Sequence, residues 1–131
     1  MYEPIRTKSV HAHGPHRTRQ EELDIRLAGH LTALLTVTDE LRALTPSGAL
    51  DDAARRLALR VERLRGHAPL RAAPTVGDTT ATRVASLHQR AHTLAGQALV
   101  VATSRGDAAG AALAAERMQA HAAALGIADA V

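Results

Sequence analysis

Residues 21–44 read EELDIRLAGHLTALLTVTDELRAL. Within them Leu23, Leu27, His30, Leu34, Val37, Leu41 and Leu44 recur at steps of four and three. That spacing puts the seven side chains on one stripe of an α-helix. An isolated helix with an apolar stripe is marginal in water, so other parts of the chain must cover it. The ends of this helix are also written in the sequence. Thr18 followed three residues later by Glu21 is a capping box, in which hydroxyl and carboxylate satisfy two amide donors. Glu21, Glu22 and Asp24 suit the positive end of the helix dipole. Pro46 disfavours helical geometry at Thr45. A helix over 19–45 is predicted.

Three further segments have the same character. Over 48–65, Leu50, Ala54, Leu57, Val61 and Leu64 repeat the spacing, and Gly66 stands where a helix C-terminus favours glycine. Over 79–105, with Asp78 as N-cap, Val84, Leu87, Ala91, Leu94, Ala98 and Val101 form a seam. A second stripe lies beside it: Ala85, His88, His92, Ala95 and Leu99. Gly96, in the middle of this helix, suggests a close helix crossing. Over 108–125, with Asp107 as N-cap, the stripe is Ala111, Ala114, Met118, His121 and Leu125. The segment 66–77, with two prolines and two glycines, reads as a linker across one end of the fold. No strand pattern is present. The predicted fold is all-α, an antiparallel four-helix bundle of two long and two shorter helices. Residues 1–17 form an extended N-terminal arm, expected to lie against the body or a neighbouring subunit, and 18–131 form one domain.

Composition limits what the core is made of. The chain has 131 residues, no Cys, Phe or Trp, and one Tyr, Tyr2. Burial therefore rests on Leu, Val and Ala. Fully burying a Leu or Val contributes about 1.5–3 kcal/mol, whereas ordering each residue costs roughly 1–2 kcal/mol of backbone entropy. The balance is thin for a monomer, and self-association would add burial. Leu23, Leu27, Leu34 and Leu41, where helix 1 outruns the shorter helices, and Leu99 of helix 3 are the candidate interface. Arg outnumbers Lys by 15 to 1 and Ala accounts for 29 residues, a bias that GC-rich bacterial genomes impose. With no apolar leader and no run of about 20 apolar residues, the expected location is the cytoplasm, without membrane insertion.

The histidines carry the chemical possibilities. His88 and His92 lie four apart on one helix face, and His30 and His121 fall in the stripes of helices 1 and 4. Facing helices of a bundle could gather these four around a transition metal, since neutral imidazoles suit Zn, Cu, Ni or Fe. The bland reading is four separate polar residues at core edges. His11, His13 and His16 give the arm a weaker metal pattern. Arg55, Arg56, Arg60, Arg63 and Arg65 on helix 2 suggest phosphate binding, but Asp51, Asp52 and Glu62 sit among them. There is also no aromatic residue to stack bases. No nucleophile motif, Gly-rich phosphate loop or metalloprotease HExxH is present. The expectation is a non-enzymatic helical interaction or scaffold protein that forms homo-oligomers and holds no catalytic or cofactor site. The alternative is a metal-binding bundle using His88, His92, His121 and His30. Third is weak nucleic-acid or anionic-partner binding through the arm and helix 2.

Overall fold

A computed structural model describes residues 18–74 and 80–127. Four helices follow one another: α1 (Arg19–Leu44), α2 (Gly48–Arg65), α3 (Ala81–Arg105) and α4 (Ala108–Leu125). Among the described residues there is no strand, and no helix is long and apolar enough to cross a membrane. The arm, with His11, His13 and His16, and the predicted N-cap Asp78 lie outside the described residues.

The helices begin and end where side-chain chemistry requires. The Thr18 hydroxyl accepts from the Glu21 amide at 3.0 Å, and the Glu21 carboxylate accepts from the Thr18 amide at 2.9 Å. Ser47 caps α2 and Asp107 caps α4. The cap of α3 is Thr80, whose hydroxyl accepts from the Arg83 amide at 3.2 Å, so this helix starts two residues later than predicted. Only Gly106 and Asp107 separate α3 from α4. Gly106 adopts φ 78°, a left-handed conformation that side chains with a Cβ resist.

Ion pairs fix the directions of the helices. Arg42 near the end of α1 pairs with Asp51 at the start of α2 at 2.9 Å, closing an antiparallel hairpin. Arg105 at the end of α3 reaches Asp24 near the start of α1 at 2.8 Å, and Arg83 reaches Glu40 at 2.7 Å, so α3 runs antiparallel to α1. Arg56 and Arg60 of α2 meet Glu116 and Asp107 of α4. Around the bundle the order is α2, α1, α3, α4, with α2 and α4 touching only lightly to close the ring. It follows that α2 ends at the opposite end of the bundle from where α3 begins. The linker does not cross an end, as expected from its length, but runs back along the body. His67, Pro69 and Leu70 lie beside Ile25, Ala28 and Gly29, and Arg71 is already level with Asp39.

The core runs along α1. Leu27, Leu31, Leu34 and Leu41 have no exposure, and Leu23, Leu35 and Val37 are buried with them. The predicted seam captured one edge of this set and missed Leu31 and Leu35, because α1 is covered on two sides, by α2 and α3. The proposed interface leucines Leu23, Leu27, Leu34 and Leu41 are therefore corrected to core residues. The chain's own helices cover them, and Leu99 packs partly buried against the same core. Gly96 is also corrected: a Cβ there would meet only the Met118 side chain, at an ordinary 3.7 Å, so no backbone crosses closely. By contrast, a Cβ at Gly110 would strike the Asp107 carboxylate at 2.4 Å. That glycine leaves room for the carboxylate that caps α4 and also binds Arg60.

Candidate functional site

Two clusters of polar side chains are each built around a buried group, His121 in one and Asp39 in the other, and a third feature is an exposed face. The first cluster joins α3 to α4. His88 and His121 meet with their Nδ1 atoms 2.9 Å apart and their ring centroids 5.1 Å apart. His121 is 1% exposed. Arg117, one turn before it on the same face of α4, is 4% exposed. Its Nη2 lies 3.4 Å from His121 Nε2, a long contact in which the guanidinium is necessarily the donor. Accepting at Nε2 leaves the His121 proton on Nδ1, which donates to His88 Nδ1. His88 in turn carries its proton on Nε2. The row Arg117, His121, His88 is thus a chain of donors running one way, with both imidazoles neutral.

Burial first, and then the nearby Arg117, His88 and His92, together push the His121 imidazole down to about 3. His88 is lowered as well, by burial and then by Arg117. The pair opens toward a cleft of about 560 Å³ between the α1–α2 turn, the start of α2 and the second half of α4. Asp52, Arg56 and Glu116 also line it. Arg56 bridges the two carboxylates, at 2.8 Å to Asp52 and 3.1 Å to Glu116.

Of the four histidines read as possible metal ligands, the fold brings together His88 and His121. His92 lies close enough to His121 to influence its charge but does not share the hydrogen bond. His30 sits half-buried on α1, which does not pack against α4. Among the described residues no three His, Asp or Glu side chains are placed to hold a metal ion. Both Nδ1 atoms, where a shared ion would bind, are used by the hydrogen bond between the rings. The sequence reading missed Arg117. An arginine in an Ala-rich helix reads as surface, and the stripe through Met118 placed the buried face one position too far along. The buried set is Gly110, Leu113, Ala114, Arg117 and His121. The signal that could have found it is the four-residue spacing of Arg117 and His121.

The second cluster ties the linker to α1. Asp39 is buried and accepts from Arg71 Nε at 3.1 Å, from Arg71 Nη2 at 2.9 Å and from Arg42 Nη1 at 3.0 Å. Burial alone would raise this carboxyl, but the Arg71 and Arg42 hydrogen bonds outweigh it and hold Asp39 below its ordinary value. The fork from Arg71 is the two-bond geometry that guanidinium and carboxylate favour.

The exposed face belongs to α2. Of its five arginines, Arg55 pairs with Asp52, Arg56 with Asp52 and Glu116, and Arg60 with Asp107. Three of the cations a phosphate would need are therefore already engaged. Between these charges stands Leu59, 52% exposed. It forms a ridge between two open grooves, one of about 680 Å³ beside Ala58, Ala68 and Pro69 and one of about 600 Å³ beside Arg60 and Leu113. No protein-family model, no curated protein and no solved structure matches the chain.

Proposed function

We propose that the protein is a non-enzymatic helical interaction module that works by associating with further copies of itself. One observation carries this reading: the outer face of α2, turned away from the core, leaves Leu59 half exposed between two grooves. Single exposed apolar residues are common on protein surfaces. A leucine flanked by concavities on the outer face of a helix offers both a knob and the holes to receive one. The thin Leu, Val and Ala core supports the same reading, since association buries additional apolar surface. The polar clusters fit a structural role, one joining α3 to α4 and the other fastening the linker to α1. Sedimentation velocity over a wide range of protein concentration tests the proposal. A sedimentation coefficient that rises with concentration toward that of a discrete oligomer is expected. A monomer at every concentration overturns it.

A further inference from the structure

The flanks of α2 are held by α1 and α4, and none of the described helices covers its outer face. At 100° per residue, Arg55, Leu59 and Glu62 fall within a sector of about 60°, opposite the core-facing Leu57, Val61 and Leu64. Asp52 and Arg63 border that sector on the α4 side, next to Arg56 and Arg60. Glu62 and Arg63 form no ion pair with any described residue. The face is thus a leucine ridge with charges of both signs around it, two of them in no ion pair among the described residues.

We propose that α2 packs antiparallel against α2 of a second copy of this chain, about a two-fold axis passing beside Leu59. The proposal rests on the reading of the protein as a self-associating module and names the face that does it. An isologous contact needs a surface complementary to itself, and this pattern meets that need. Under such an axis, residues before Leu59 on one copy lie level with residues after it on the other. Arg55 comes within one residue, about 1.5 Å of axial rise, of the partner's Glu62, on the same side of the ridge. The partner's Arg63 falls on the other side, where Asp52 reaches it. By symmetry each of these pairs forms twice. Each Leu59 then enters a groove beside the other, ridge into groove, as packed helices do. A partner of another kind would have to present the same alternation of acid, leucine and base. A second copy presents it automatically.

The test uses two variants of the full chain, Arg55→Glu and Glu62→Arg, with circular dichroism confirming unchanged helix content. In an Arg55→Glu homodimer each cross pair becomes two acids. In a Glu62→Arg homodimer each becomes two bases. In the mixed dimer both cross pairs are again acid with base. Sedimentation velocity of the wild type should show a dimer. Each variant alone should have its dissociation constant raised by about tenfold or more, and an equimolar mixture should recover most of that loss. A wild-type dimer that both variants leave intact, or that both weaken without recovery on mixing, overturns the α2 pairing while the self-association reading stands. A wild type that is monomeric at all concentrations overturns both.

Discussion

The seam between α1 and α3 and the seam between α2 and α4 close the same ring by different means. Along the first, leucines of α1 (Leu27, Leu31, Leu34) meet a row of alanines on α3 (Ala91, Ala95, Ala98, Ala102). The large residues of one helix fill the space left by the small residues of the other, and the helices pack along most of their length. Ion pairs stand only at its two ends, Asp24–Arg105 and Glu40–Arg83. Along the second seam the contact is slight, and the ties are Arg56–Glu116 and Arg60–Asp107, with Leu113 as the main apolar residue on the α4 side. An ion pair as open to water as Arg56–Glu116 contributes about 0–1 kcal/mol, far less than a buried leucine. Stability is therefore concentrated on the α1–α3 side, and α2 is left with a face that can take on another role.

That comparison is broken most severely at Leu34, which has no exposure. Leu34→Ala should cost about 2–5 kcal/mol, read as a fall in the midpoint of chemical denaturation. Leu59→Ala, on the outer face of α2, should stay within about 0.5 kcal/mol when measured at concentrations where the chain is monomeric. Equal losses at the two positions would mean that the two seams do not differ as described.

Acid separates the halves next. His121 is neutral in the fold, well below its ordinary value of 6.5, so the unfolded chain binds a proton that the folded chain refuses. The stability this provides is present above pH 6.5 and falls away as pH drops from there toward about 3. At pH 5 the loss is about 2 kcal/mol from this group. The charged and titratable groups around the pair are Arg117, Glu116, His92, Arg56 and Asp52. None of them is a cation-stabilising partner aimed at the His121 ring. Thermal melts of wild type and His121→Leu between pH 7 and pH 5 check this. The variant should lose much less stability over that interval. Parallel pH profiles would remove His121 as the source.

One further substitution should give a gain. Gly96→Ala should stabilise the chain by up to about 1 kcal/mol, because the added Cβ meets only Met118 at ordinary distance. A destabilised variant would mean that α3 and α4 approach more closely there than the structure places them.

Much of the fold was legible because helix ends carry local chemistry. Thr18 with Glu21, Gly66 and Asp107 announce boundaries within a few residues of themselves, whereas Ser47, the cap of α2, went unread. What depended on which helix neighbours which was not legible. The four–three template selects one stripe, so it missed Leu31 and Leu35 on a helix covered from two sides. The linker's path followed from Arg71 meeting Asp39, 32 positions away in sequence, which no local pattern reveals. The site was legible only in part. His88 and His121 stood out by type, but Arg117 looked like surface until its stem was seen buried and its head against His121. The exposed Leu59 was hidden among arginines, whose partners on α4 become visible only once the bundle closes.

The claim that α2 presents the associating face is tested most directly by cysteine, which the chain lacks. Leu59→Cys and, as a control, Val100→Cys, which replaces an equally prominent residue on α3 that is 66% exposed, are each oxidised under mild conditions at a concentration where wild type self-associates. Crosslinked dimer is then measured on a non-reducing gel. The account predicts rapid, nearly complete linkage of the Leu59→Cys variant and slow, partial linkage of the Val100→Cys variant, because only the first brings two thiols together at the two-fold axis. Equal rates, or faster linkage through position 100, would contradict it.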